Sequence, residues 1–129
     1  MQKLTLALLL STASLAHAEG VLNIYNWGNY TSPEMIAKFE AAYDVKVTIT
    51  EYDSNDTALA KIRAGGHGFD IAVPSQNFVP IWISEGLAME TNPGQMENGH
   101  NIAAEWADPP FDPGRKYTAP WQWGTVGVV

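Results

Sequence analysis

Two short polar segments carry the residues best suited to bind a small molecule. Residues 26–30 read NWGNY, and residues 74–77 read PSQN. Each segment follows an apolar run that predicts a strand, and ligands of open α/β sheets bind beyond the carboxyl ends of the strands. The candidate ligand-binding residues in the two segments are Trp27, Asn29, Tyr30, Ser75 and Asn77.

The side chains of these candidates suit a small amphipathic ligand. An indole or phenol face, as offered by Trp27 and Tyr30, holds an alkylammonium by cation–π attraction, worth about 0.5–2 kcal/mol per contact. The same faces cover methylene groups, and each methylene removed from water is worth about 0.8 kcal/mol. The amides and the hydroxyl add polar contacts that could orient such a ligand.

The sequence leaves other interpretations of the same residues open. Trp27 is compatible with core packing, and Tyr30 with packing against the helix that follows it. Ser75 is placed to cap the next helix, and capping does not exclude contact with a ligand. Trp121 and Trp123 are two residues apart and would share one side of a strand, so we expect both to pack in the core.

Features typical of catalysis or metal binding are weak. The chain has no cysteine, which excludes disulfides, thiol catalysis and thiolate metal sites. His67 lies in a glycine-rich turn and His100 in a polar segment, and neither has a companion at metal-ligand spacing. Neither a nucleophile-elbow motif nor a phosphate-cradling glycine motif occurs. We therefore predict a protein that is not an enzyme and that uses neither a metal nor a cofactor.

The elements around the first polar segment alternate between strand and helix patterns. Residues 21–25 form an apolar run that predicts a strand followed by a loop, and residues 45–49 alternate apolar and polar side chains like a half-buried strand. Between them, Thr31 and Glu34 fit the capping box of a helix. The apolar residues of that helix recur at helical spacing: Met35, Ile36, Phe39 and Tyr43.

The same alternation continues around the second polar segment. Residues 54–56 offer an N-cap, and the glycine-rich residues 65–68 end the helix that follows it. Residues 69–73 predict a third strand, and residues 78–82 a third helix that ends before Gly86. One face of the helix after the N-cap is apolar: Ala58, Leu59 and Ile62.

The remaining sequence is less regular. Residues 91–114 are rich in Asn, Pro, Gly and Asp and predict a loop, with one short helix near residues 102–106. Residues 117–129 are apolar and aromatic and predict one or two strands. The whole order of strands and helices predicts an α/β fold whose sheet is mostly parallel and is flanked by helices.

The N-terminus has the layout of a secretory signal peptide. A short basic start and an apolar run too short to span a bilayer precede the small-residue cleavage pattern of residues 16–18. We expect residues 1–18 to be removed on export. The loss of Lys3 leaves six Lys and Arg side chains against 14 Asp and Glu, a net charge of −8. That balance disfavours nucleic acid and anionic membrane surfaces as partners.

Five sequence blocks carry a resemblance to a known family. From residue 21 to residue 129, the chain resembles the spermidine/putrescine-binding proteins of bacterial ABC transporters, and the blocks occur in the same order and at similar spacing. The blocks are Ile24-Tyr25-Asn26-Trp27 with Tyr30, Tyr52-Asp53-Ser54-Asn55, Gly68-Phe69-Asp70, Val73-Pro74-Ser75 and Pro120-Trp121-Gln122-Trp123-Gly124.

The resemblance implies a class II periplasmic-binding fold with two lobes that close around a polyamine by hinge motion. It places Trp27 and Tyr30 against the ligand as aromatic faces and Ser75 as a hydrogen-bond partner of an amine, with Asn77 nearby. It also implies a periplasmic location and an inner-membrane ABC permease as partner. Residues 19–129 would be the N-terminal lobe and the start of the hinge, because the chain stops at Val129 within an apolar run.

One departure from the family leaves the ligand open. Many polyamine binders have an acidic residue where this chain has Asn29, and an amide pairs with an ammonium more weakly than a carboxylate does. A diamine, an agmatine-like amine or another amino compound therefore remains compatible with the sequence. The alternatives are a binding protein for another solute, such as an amino acid or a sugar, and a secreted sensor or interaction domain.

Overall fold

A three-stranded parallel sheet forms the centre of the molecule in the computed structural model, which describes residues 20–124. Strand β1 (Gly20–Trp27) lies between β2 (Val45–Tyr52) and β3 (Ile71–Ala72). The predicted α/β class with a parallel sheet is confirmed. The predicted signal peptide over residues 1–18 lies outside the described residues.

Strand β1 is longer than the sequence pattern predicts. Its parallel pairing with β2 continues through Asn26 opposite Glu51 and Trp27 opposite Tyr52. The prediction that Asn26 and Trp27 belong to a loop is therefore wrong, because backbone pairing with β2 extends beyond the apolar run. As a result, Trp27 is held on the sheet itself, directly beside Tyr52.

Helix α1 (Pro33–Tyr43) connects β1 to β2. Its N-cap is Ser32, whose hydroxyl oxygen accepts from the Met35 amide at 3.2 Å. The predicted cap at Thr31 is wrong, because the Thr31 hydroxyl instead accepts from the Asn26 side-chain amide at 3.3 Å. The helix ends at Asp44, which adopts a left-handed conformation.

Helix α1 is fastened to β2 by Glu40. The Glu40 carboxylate accepts from the Val47 amide at 2.8 Å and pairs with Lys46 at 3.1 Å. The Val47 hydrogen bond and, after it, the Lys46 side chain lower the pKa of Glu40 below its usual value.

Helix α2 (Asn55–Arg63) follows the sequence prediction closely. Ser54 is its N-cap and accepts from the Thr57 amide at 3.1 Å, and its predicted apolar face is buried. The helix ends where the glycines begin, with Gly65 at φ 69°. Helix α3 (Val79–Ser84) also forms where predicted. Together with β1 and β2, the two helices enclose the core: Tyr25, Tyr52, Ala58, Leu59, Ile62 and Trp82.

Residues 91–118 form a compact loop region with three short 3-10 helices, Pro93–Gln95, Glu97–Asn101 and Ala104–Trp106. The buried Asp112 organises its last part. The Asp112 carboxylate accepts from the amides of residues 116–118 at 3.1, 3.1 and 2.8 Å and from the Thr118 hydroxyl at 2.8 Å. The same hydroxyl accepts from the guanidinium of the buried Arg115 at 2.9 Å.

The strands predicted for residues 117–129 do not form within residues 117–124, and residues 125–129 lie outside the described part. The amides of residues 117 and 118 bond to the Asp112 carboxylate instead of to a neighbouring strand. Trp121 and Trp123 are 49% and 78% exposed, so the prediction that both pack in the core is wrong for residues 20–124. Over the same residues, every helix is too short or too polar to cross a bilayer.

Candidate functional site

The carboxyl ends of β1 and β2 border an open recess of about 550 Å³. We call it the aromatic recess because four of its residues are aromatic. Strand pairing places Trp27 and Tyr52 side by side at its base, and the loop after β1 adds Tyr30. The residues that line it are Tyr25, Trp27, Gly28, Tyr30, Glu51, Tyr52, Asp53 and Thr57.

The rings of the aromatic recess contact one another. The ring centroids of Trp27 and Tyr52 lie 4.6 Å apart with the planes tilted by 53°, and those of Trp27 and Tyr30 lie 6.4 Å apart. The centroids of Tyr25 and Tyr52 are also 4.6 Å apart. Such tilted pairs are favourable by about 0.5–1.5 kcal/mol each beyond the area that they bury. The rings therefore form a preorganised aromatic surface.

The Val73 carbonyl fixes the orientation of two of these rings. Trp27 donates its indole Nε1–H to this oxygen at 2.9 Å, and Tyr52 donates its hydroxyl to the same oxygen. Burial raises the pKa of the Tyr52 hydroxyl, and the neighbouring phenols of Tyr25 and Tyr30 raise it further. Tyr52 therefore stays protonated in the physiological range and continues to donate.

The core packing that the sequence allows for Trp27 is confirmed, and its contact with a ligand stays a prediction. Its partly buried side chain packs against the core and also lines the aromatic recess. Tyr30 is 38% exposed and lies at the rim of the recess. The Gln122 side-chain amide donates to the Tyr30 carbonyl at 3.0 Å, which connects the loop after β1 to the segment near residue 122.

Ser75 lies in the loop after β3 and is tied to the start of α2. Its amide donates to Asn55 Oδ1 at 2.9 Å, and Asn55 Nδ2 donates to the Ser75 hydroxyl oxygen at 3.0 Å. The possibility that Ser75 caps α3 is wrong, because α3 begins after Phe78 without a side-chain cap. The Ser75 hydroxyl keeps one lone pair and its own hydrogen for a further partner.

Asn29 and Asn77 are exposed and are not among the residues that line the aromatic recess. Asn29 has a left-handed backbone with φ 61°, a conformation that asparagine adopts more readily than most residues. Asn77 lies in the turn before α3. The structure therefore brings Trp27 and Tyr30 together, whereas Ser75, Asn29 and Asn77 are outside the lining of the recess.

Sequence reasoning missed three residues of the aromatic recess. Glu51 and Tyr52 end β2 and Asp53 follows it, just beyond the alternating residues from which the strand was predicted. The available signal was the rule that the carboxyl ends of adjacent parallel strands share one edge of the sheet. Applied to β2 as well as to β1 and β3, that rule would have brought all three residues to the site.

The aromatic recess carries negative charge. Glu51 and Asp53 are its ionisable carboxylates, and among residues 20–124 no lysine, arginine or histidine lines it. Aromatic faces combined with carboxylates favour an organic cation and disfavour an anion. The same described residues contain no group of three or more side chains placed to hold a metal ion.

Comparison with known proteins identifies the class to which this fold and site belong. The pattern of the family described as bacterial extracellular solute-binding protein matches residues 27–129. The chain therefore belongs to the bacterial extracellular solute-binding proteins.

Two individual relatives of the chain have more specific names than the family. The chain is 34% identical over 129 residues to the putrescine-binding periplasmic protein SpuD of Pseudomonas aeruginosa, with 97% of this chain and 35% of the relative covered. It is 32% identical over 120 residues to the putrescine-binding periplasmic protein PotF of Escherichia coli, with 92% and 32% covered. The chain thus spans about a third of the length of these relatives.

Solved structures share the fold. The spermidine/putrescine ABC transporter substrate-binding protein PotD of Streptococcus pneumoniae superposes with a TM-score of 0.74 at 35% identity, covering 78% of this chain and 31% of that one. The Tp0655 lipoprotein of Treponema pallidum superposes with a TM-score of 0.72, also at 35% identity, covering 79% and 32%. The predicted periplasmic-binding fold is confirmed by these similarities.

Proposed function

We propose that the full-length protein captures polyamines of the putrescine and spermidine type and delivers them to an ABC permease of the inner membrane. The observation that carries the proposal is the aromatic recess, in which Trp27, Tyr30 and Tyr52 stand beside two carboxylates with no basic side chain in the lining. The names of the relatives and of the superposed PotD support the same ligand class.

The proposal assigns a role to each candidate residue. Trp27 and Tyr30 cover the methylene groups and ammonium of the ligand with their aromatic faces. Ser75 accepts a hydrogen bond from an amine with the lone pair that Asn55 leaves available. Asn29 and Asn77 contribute amides at the outer rim, where a ligand or a second lobe approaches.

The wider setting of the site follows from the same proposal. Residues 1–18 are a cleaved signal peptide, and residues 19–129 belong to the N-terminal lobe of a two-lobed, periplasmic, non-enzymatic binding protein. The recess is open to solvent, so a second lobe is needed to enclose a ligand and remove it from water. The acidic composition supports a protein that binds no nucleic acid and does not insert into the membrane after export.

Thermal melting of the full-length protein against a panel of solutes tests this function. We expect putrescine or spermidine, at about a hundred times its Kd, to raise the Tm by roughly 5 °C or more, because a ligand that binds only the folded state stabilises it. Agmatine, 4-aminobutyrate and several sugars complete the panel. A shift with a sugar or an amino acid and with no amine would contradict the proposed ligand class.

A further inference from the structure

The carboxylate of Glu51 occupies an unusual position in the aromatic recess. Glu51 is paired in the sheet with Asn26, and its side chain reaches toward Gly28 in the loop after β1. A Cβ atom built on Gly28 would stand 3.5 Å from Glu51 Oε2 and 3.7 Å from its Cδ. Glycine at this position thus leaves the carboxylate lying over bare backbone, between Trp27 and Tyr30 in sequence.

Glu51 is not engaged by the rest of the described chain. Within residues 20–124 the Glu51 carboxylate makes no hydrogen bond and no ion pair, and no basic residue lines the recess with it. Other carboxylates are already used: Glu40 bonds to Lys46 and the Val47 amide, and Glu85 bonds to Arg63. Glu51 therefore brings a carboxylate without a partner among these residues to the lining of a recess that also contains four aromatic rings.

Asp53, the second carboxylate of the recess, differs in its electrostatic surroundings. It lies just before Ser54, the N-cap of α2, where the partial positive charge of the helix N-terminus favours an anion. Part of the Asp53 charge is therefore balanced by the fold itself. Glu51 belongs to β2 and lies two residues farther from this helix N-terminus in the sequence.

We infer that Glu51 is a specificity-determining residue that bonds one ammonium group of the ligand, an inference that rests on the proposed function. An ammonium held against the Trp27 and Tyr30 rings within reach of Glu51 would meet cation–π attraction and a charge-assisted hydrogen bond together. A ligand end that carries a carboxylate beside its ammonium, as in an α-amino acid, would meet repulsion from Glu51. The recess thus selects ligand ends that are purely cationic.

Calorimetric titration of the full-length protein with putrescine tests this role. We expect Glu51→Gln to raise the Kd about tenfold or more, because it removes the charge and keeps the side-chain shape. The Kd of the wild type should rise with added salt, and this dependence should weaken in Glu51→Gln, since salt screens the removed attraction. A purely structural role would not change the salt dependence.

The matched control is Glu97→Gln, which removes one exposed carboxylate outside the aromatic recess. Its putrescine Kd should stay within about twofold of the wild-type value if Glu51 acts locally. If the wild type binds putrescine and Glu51→Gln binds it equally well, the role of Glu51 is refuted while the proposed function stands. If the wild type binds no amine at all, both the proposed function and the role of Glu51 are refuted.

Discussion

Replacement of Trp27 by alanine is expected to weaken putrescine binding by the full-length protein more than tenfold. The change removes a cation–π contact worth about 0.5–2 kcal/mol and the cover of methylene groups at about 0.8 kcal/mol each. Together these losses exceed the 1.4 kcal/mol that corresponds to a factor of ten. Calorimetric titration of the variant with putrescine measures the effect directly.

Two further variants separate the ring face from other roles of Trp27. Trp27→Phe keeps an aromatic face and loses the indole Nε1–H that bonds to the Val73 carbonyl, so we expect a smaller loss of affinity. Trp123→Ala removes an indole that is 78% exposed and outside the recess, and its affinity should equal that of the wild type. Unchanged affinity in Trp27→Ala would show that Trp27 serves only the core.

Replacement of Asp112 by alanine is expected to lower the free energy of unfolding strongly. Asp112 is 1% exposed, and its carboxylate accepts from three backbone amides and one hydroxyl. Each buried donor left without a partner costs about 1–3 kcal/mol, and the buried Arg115 also loses a nearby countercharge. We expect a total cost of about 3–5 kcal/mol, as for other broken buried charge networks.

Hydrogen exchange of the backbone amides of residues 116–118 reports this loss locally. In Asp112→Ala these amides should exchange at least about a hundredfold faster, because 1.4 kcal/mol of opening free energy corresponds to a factor of ten. Asp108→Ala is the control, since exposed Asp108 accepts a single hydrogen bond, from the Gly114 amide at 2.7 Å. Equal protection in wild type and Asp112→Ala would contradict the role of the carboxylate.

Elements whose local signals agree with their packing were predictable from the sequence. Helix α2 has an N-cap at Ser54, an apolar face that is buried, and a glycine stop, and each signal acts within a few residues. Strand β2 alternates between apolar and polar side chains because one of its faces packs against α1. The choice between Thr31 and Ser32 as the cap of α1 was not predictable, because it depends on the bond from Asn26 to Thr31.

Features that depend on distant contacts escaped prediction. The bond from Trp27 to the Val73 carbonyl joins residues 46 positions apart, and pairing with β2 keeps Trp27 in the sheet rather than in a loop. Asp112 and Arg115 sit in a polar segment that resembles a solvated loop, yet both are buried. Asp112 has a role only in the folded chain, where the backbone amides of residues 116–118 need an acceptor.

The aromatic side of the candidate site was predictable and its acidic side was not. Trp27 and Tyr30 lie in a segment whose glycine and asparagines suggest a loop beside a strand end. Glu51 reaches the same place only because β1 and β2 are adjacent and in register, and a single sequence does not specify strand register by charge. The information that was missing from the sequence was the adjacency and register of β1 and β2.

The most direct test of the site is the indole Nε1–H resonance of Trp27 in the full-length protein during titration with putrescine. Trp27→Phe identifies this resonance by its disappearance, and the resonance of Trp82, whose indole is buried in the core, serves as an internal reference. We predict that the Trp27 resonance shifts with the same Kd that calorimetry gives while the Trp82 resonance stays in place. Saturation of the protein with putrescine without any change at Trp27 would contradict the placement of the ligand in the aromatic recess.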